Sequence, residues 1–275
     1  MGINVVDATI ILPFTAPSPF LPHKGKGLIH MDKIPLEVQG EESAIRFRDC
    51  FSVRYIQSAA LLCRLAYAIE QEYLKGGPMQ ADAQLRHEAF TLNAVLSAVS
   101  FLESTVNELH ADATDEEYSA LDEKHGTLLR TIGREWHNTR NFDRAPMITK
   151  YQTILAIAGQ PGFDDGDQAF ANIRILNEIR NHFLHYTREW VVVGSRHVPG
   201  REPESTADYF EKVLYKKFAT NPLALKNVPF FPYKCLGHGC AEWAIMNSII
   251  FTDEFFRRLS LPAPYEGIRD ELGTR

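Results

Sequence analysis

Leu92, Val95, Val99, Leu102, Val106 and Leu109 follow one another at steps of three or four residues. At 3.6 residues per turn, that spacing places all six on one side of an α-helix. An apolar stripe of this length has to be covered, so it implies a helix over 81–110 with other helices packed around it. Partners are legible by the same rule. Residues 50–74 (CFSVRYIQSAALLCRLAYAIEQEYL) repeat apolar positions at three and four and stop at Gly76-Gly77-Pro78. Residues 146–159 (PMITKYQTILAIAG) have a proline early and a glycine late, the usual asymmetry of a helix. Residues 167–190 and 240–260 complete the set.

The remaining segments read differently. "VVDATIILPF" suggests a strand, and "GLIHMDKIPLEVQ" a second short strand beside it, so 1–48 is expected to be an N-terminal extension with a small β element. Residues 111–140 are charged and read as an exposed helical or irregular connection, and "FDDGD" as a turn. Residues 191–234 lose periodicity and hold five prolines, which predicts a long irregular connection. The expected fold class is mainly α: a helical bundle over 49–275 with a small N-terminal β element.

Composition narrows the function classes. The 275 residues are 45% hydrophobic, enough for a sizeable core. A net charge of −6 excludes a basic field over the whole surface, while 29 Lys and Arg leave room for a local basic cleft. Four cysteines in a chain of this length do not suggest a disulfide framework. No basic region precedes the first apolar run, and Val6 stands where a myristoylation signal has Ser or Thr. No apolar stretch approaches the roughly 20 residues of a membrane span. The expectation is a soluble cytoplasmic protein with no membrane partner.

The chemistry concentrates in "EIRNHFLHYTREW", residues 178–190. On a helical wheel, Phe170, Ile173, Leu176, Ile179, Phe183, Tyr186 and Trp190 form the core stripe. Asn177, Asn181, His185 and Arg188 project mostly from the other side, and Arg180 lies at the border. Asn181 and His185 are i,i+4 neighbours, near enough for the amide to orient the imidazole. Arg is permanently charged and forks onto phosphate oxygens. His is the side chain whose ordinary pKa suits proton transfer near neutrality. The pair is what metal-free RNA cleavage needs: one group to move a proton, the other to stabilise charge on the phosphorane. The same residues would equally make an ordinary solvated helix face, and that alternative stays open.

"RNHFLH", Arg180 to His185, resembles the Arg-x4-His pattern of the HEPN superfamily, helical domains of defence and RNA processing. "AVSFLESTVNEL", ending at Leu109, resembles the helix preceding the motif helix in several of its families, and the helix order is similar over about 80–260. The resemblance implies a metal-independent endoribonuclease of toxin or antiviral-defence type. It would leave 2′,3′-cyclic phosphate and 5′-hydroxyl ends, with Arg180 and His185 catalytic. It also implies a homodimer with a composite cleft, RNA as substrate, no cofactor, and an antitoxin or regulatory protein as a further partner. Some toxin members carry a tyrosine two residues after the histidine; here Tyr186 follows directly and Thr187 stands at that place. Arg188 is the expected RNA-binding residue, with Asn181, His182 and Tyr186 in support, His182 as a packing or orienting group.

Other residues were weighed as candidates. Glu103 and Asn107, i,i+4 on the 81–110 helix, could reach the motif helix and orient Arg180 or His185. Cys235, His238 and Cys240 in "CLGHGC" resemble part of a zinc site, but the spacing is not that of a structural site and no partner pair follows. A glycine-rich turn into the last helix explains them better, and no metal is expected. The competing function is a non-catalytic helical module that binds RNA, nucleotide or a protein partner. A third is a small-molecule-binding bundle with 191–234 as its lid.

Overall fold

Helix α1, Phe51–Leu74, turns at Lys75 and Gly76 (φ 73°) and returns as α2, Ala83–Thr114. The faces they share are lined by small residues, Ala59, Ala60 and Ala66 on α1 and Ala94 and Ala98 on α2, all fully buried. Small side chains let the two backbones approach closely, and this is the most extensive helix pair in the fold. The computed structural model describes residues 50–76, 80–115, 125–138, 142–164, 166–188 and 205–275. The expected β element of 1–48 lies outside these residues, as do Trp190 and the rest of 189–204.

At 32 residues, α2 is about 48 Å long. Of the six stripe residues, Val95, Val99, Leu102, Val106 and Leu109 are buried. Around α2 stand α3 (Gly126–Asn138), α4 (Met147–Ile157), α5 (Gln168–Leu184) and α7 (His238–Leu259), besides α1. A nine-residue helix, α6 (Thr206–Leu214), precedes a π-helical turn, Phe230–Lys234, that leads into α7. Short 3₁₀ turns occupy Phe142–Arg144 and Glu266–Glu271. Among the described residues the fold is all-α, with no strand.

By length and composition α2 could cross a membrane, with a mean hydropathy of 1.3 in its most apolar window. That differs from the sequence expectation of no such stretch. Its apolarity has a use within the fold: five helices cover it, and half of that window is buried.

The ends of the helices are fixed by identifiable groups. The Asp167 carboxylate accepts the backbone N–H groups of Ala169 and Phe170 and starts α5. Ser205 and Asp208 form a reciprocal capping box that starts α6. The first N–H of α7, at His238, is capped from another helix, by the Glu70 carboxylate of α1 at 2.6 Å. Ser260, in the left-handed region at φ 56°, closes α7. Phe251 and Phe255 of α7 meet Tyr151 of α4 edge-on, and the buried Tyr151 hydroxyl donates to the Leu102 carbonyl of α2 at 2.8 Å. Burial holds that phenol well above its usual pKa. The C-terminal segment returns along α1 and α7. Arg64 donates to the carbonyls of Glu271 and Gly273, and Glu242 accepts from Thr274 and Arg275. The Arg275 guanidinium keeps the Glu242 carboxyl below the ordinary carboxylate range.

Three differences from the sequence reading have physical causes. Residues 126–138, read as part of an exposed helical or irregular connection, are helical, as α3, but bury Leu129, Ile132 and Trp136 beneath a charged outer face. The segment 191–234, read as a long, partly ordered connection without periodicity, contains α6, whose Ala207, Phe210 and Leu214 are buried at helical spacing. The prolines on either side masked that short periodicity. The motif helix ends at Leu184 and not at 190. Tyr186, assigned to the core stripe, is 61% exposed, so the stripe has run out of surface to cover it and nothing holds another turn together.

Phe183 is half-buried rather than fully buried; its ring stacks on Phe231 with centroids 5.4 Å apart. Ile173, on the same stripe, is fully buried. Ile173→Ala is therefore expected to cost about 2–5 kcal/mol, and Phe183→Ala less than the roughly 3–5 kcal/mol of a fully enclosed Phe. Urea denaturation of the two variants beside the parent checks the order.

Candidate functional site

The buried face of α5, Phe170, Ile173, Leu176 and Ile179, faces the core, and this sets which residues reach its edge. Arg180 is at that edge, its side chain 30% exposed. Its Nη1 donates to Asn181 Oδ1 at 2.9 Å and its Nη2 to Glu103 Oε2 at 3.5 Å. Glu103, from α2, thus meets the motif helix as its spacing suggested. An ion pair this long and this open contributes little to stability; its effect is to aim the guanidinium.

Asn107 goes elsewhere. One turn beyond Glu103, its Oδ1 accepts from Lys150 Nζ of α4 at 2.8 Å. It touches neither Arg180 nor His185. Lys150 is only 3% exposed, and its ammonium donates to the neutral amide of Asn107, which is itself exposed. It was not among the sequence candidates, yet a signal existed. Met147, Lys150, Tyr151, Ile154 and Leu155 share one helical face, so Lys150 stands in a core position of its own helix.

His185 is the C-cap of α5 rather than a residue within it. Its backbone N–H donates to the Asn181 carbonyl at 2.9 Å, closing the last turn. The side-chain contact expected from the i,i+4 spacing is not seen among the described residues: His185, with φ −116° and ψ 35°, has left the helical geometry that spacing assumes, and the Asn181 amide oxygen accepts from Arg180. The His185 imidazole is exposed, as are Leu184, Tyr186 and Arg188. Two of these are large apolar groups: Leu184 is 52% and Tyr186 61% exposed. The end of the motif helix therefore presents two apolar side chains next to a histidine and an arginine.

His182 points to the packed side. Its ring lies 5.1 Å from that of Phe231 and 5.8 Å from that of Phe210, with Phe183 and Tyr186 also adjacent. This is the surrounding of a packing histidine. Glu178, on the same helix, accepts a 2.5 Å hydrogen bond from the Tyr209 hydroxyl and so ties α6 to α5; sequence spacing offered no hint of that pair.

"CLGHGC" forms the turn that opens α7. A side chain at Gly239 would run into the Ala219 backbone, and one at Gly237 would sit 2.8 Å from the Asn221 Cα. Glycine is needed at both places for the turn to close on 219–221. The Cys235 and Cys240 sulfurs are 3.8 Å apart, while the His238 ring turns to the Thr274 carbonyl. Among the described residues no three metal-ligating side chains gather in one place.

No protein-family model matches this chain, and neither does any curated protein or solved structure. What the site can do has to be argued from its own residues.

The contact between buried Lys150 and exposed Asn107 yields a direct test. Asn107→Ala removes the protein acceptor from the solvent side, where water can take its place, and is expected to cost about 0.5–1.5 kcal/mol. Adding Lys150→Met, which fills the same space without charge, is expected to recover most of the loss. Denaturation midpoints of the single and double variants measure the coupling.

Proposed function

We propose that this chain is a HEPN-like helical bundle acting as a metal-independent endoribonuclease of toxin or antiviral-defence type. The observation that carries the reading is the placement of Arg180. A half-buried guanidinium is aimed by one carboxylate and one amide, on the helix that ends with an exposed His185 and Arg188.

In this mechanism the 2′-oxygen of a ribose attacks the adjacent phosphorus as its proton leaves. The bond from phosphorus to the 5′-oxygen breaks, and that oxygen takes up a proton. The products are a 2′,3′-cyclic phosphate and a 5′-hydroxyl. His185 moves the proton, and Arg180 stabilises the charge that builds on the phosphorane oxygens. Arg188 holds a neighbouring phosphate. Glu103 and Asn181 limit the directions the guanidinium can take, so less order has to be created when RNA arrives.

The working unit in this reading is a homodimer. Leu184 and Tyr186 are exposed beside Arg180 and His185, as expected of a surface covered by a second copy with a wet polar centre. Pairing would bring two Arg180 and two Arg188 to one groove and give an otherwise acidic chain the local positive charge that RNA needs.

One observation favours the competing reading, a module that binds RNA, nucleotide or a protein without cutting. The Asn181 amide oxygen accepts from Arg180, and His185 is an exposed helix cap with no residue seen to orient its imidazole among the described residues. Such a module would still use Arg180 and Arg188.

Cleavage of a mixed RNA pool in EDTA separates the two. The parent protein is expected to cut and to leave cyclic phosphate ends. His185→Ala and Arg180→Ala are each expected to lose about 10²–10⁴-fold in rate with unchanged thermal melts. Arg180→Lys keeps the charge, loses the planar fork, and is expected to recover only part. Cleavage by His185→Ala at the parental rate places the nuclease elsewhere, and RNA binding without cleavage by the parent selects the binding module. Sedimentation is expected to show a dimer at micromolar concentration that Leu184→Glu with Tyr186→Glu dissociates; a parental monomer would remove the composite cleft.

A further inference from the structure

Three buried cysteines converge where α7 begins. Cys235 ends the π-helical turn and Cys240 lies in the first turn of α7, their sulfurs 3.8 Å apart and both fully buried. Cys63, on α1, is turned to the His238 carbonyl at 3.9 Å. Cys50 stands apart and is exposed. Neither the RNA-cleaving reading nor the packing of the bundle requires two thiols in contact.

We propose that Cys235 and Cys240 are a two-electron redox pair, which hydrogen peroxide closes to an intramolecular disulfide. Bringing the sulfurs to bonding distance takes an approach of less than about 2 Å. Rotation about the cysteine χ1 angles is the simplest source of that approach, because Gly237, between the two, is held close to Asn221.

The chemistry balances with peroxide as the oxidant. One sulfur, as thiolate, attacks a peroxide oxygen; the O–O bond breaks and a sulfenic acid and one water form. The second sulfur attacks the sulfenic sulfur, and the hydroxyl leaves as a second water. Two S–H protons and two electrons are lost from the pair, and the peroxide is reduced to two waters.

The surroundings set the pace and the selectivity. Hydrogen bonding to Cys240 and burial hold the Cys235 thiol well above its usual pKa, so closure is slow at neutral pH and accelerates as the pH rises. Cys63 is left a bystander by its geometry, since its sulfur faces the His238 carbonyl at 3.9 Å, and burial pushes its thiol up to about 12. Entry requires the π-turn to open locally, and the end of a helix is where such openings cost least. The consequence reaches the motif helix. Phe231, inside the same turn, packs on Phe210 at 4.3 Å, His182 at 5.1 Å and Phe183 at 5.4 Å. A disulfide would tie the turn carrying Phe231 to α7, and through it hold the end of α5. The thiol chemistry itself does not depend on the ribonuclease reading.

The test uses the full chain, hydrogen peroxide, and alkylation after denaturation. The parent, with four cysteines, is expected to lose two alkylatable thiols and regain both with dithiothreitol. Its rate of loss is expected to rise with pH. Cys63→Ala is expected to behave as the parent. Cys235→Ala and Cys240→Ala are each expected to show no such recoverable paired loss. Should either fail to fold, the double variant Cys50→Ala with Cys63→Ala, which keeps only the pair, must lose both its thiols together. Retention of both thiols in that variant, or an undiminished paired loss in Cys235→Ala or Cys240→Ala, overturns the proposal. So does abolition of the loss by Cys63→Ala.

Discussion

A carboxylate buried among three helices organises this fold. Glu70, only 7% exposed, stands near the end of α1. One of its oxygens, Oε1, lies 2.8 Å from His87 Nε2 of α2 and accepts the 2.6 Å hydrogen bond from the backbone N–H of His238 at the start of α7. Burying such a group is costly unless its oxygens are satisfied. Here the positive end of a 22-residue helix and an imidazole supply the partners. His87 is itself fully buried, and its Nδ1 has no partner, so the bond to Glu70 is the one polar contact of the ring. Removing the carboxylate would strand an imidazole and an uncapped helix start together.

The position of α7 then sets that of the π-turn before it, and through it of Phe231. That ring is where α5 and α6 meet, against His182, Phe183 and Phe210. The last turn of the motif helix is therefore located by a residue some fifty positions later. Once α5 has the core on one side and Phe231 near its end, Arg180 falls at the border with Glu103 within reach, and His185 falls beyond the packed surface.

α2 carries a second theme. Glu103, Asn107 and His110 follow one another down one side of it at helical spacing, and each meets a different helix. Glu103 takes Arg180 of α5, Asn107 takes Lys150 of α4, and the His110 ring stacks on Trp136 of α3 with centroids 3.8 Å apart. An apolar helix of this length could slide against its neighbours at little cost in buried area. Polar groups with specific partners remove that freedom, since a shift of one turn would strand each of them.

Much of this was written in the sequence. Periodicity near 3.6 marked the helices over 50–74, 81–110, 146–159 and 240–260, because burying one face of a helix imposes a repeat that depends on the chain alone. The Asp167 and Ser205–Asp208 caps are equally local. What periodicity could not say was how far a neighbouring surface extends. The stripe of α5 continued through Tyr186 on the wheel, but that ring is exposed and the helix stops at Leu184, with His185 as its cap. Nor could spacing choose partners. Glu103 and Asn107 are equivalent on their own helix, yet one meets Arg180 and the other Lys150, because α4 and α5 cross α2 at different heights. A repeat is a property of one helix, and a partner is a property of two helices and the offset between them. Only the packed bundle determines that offset.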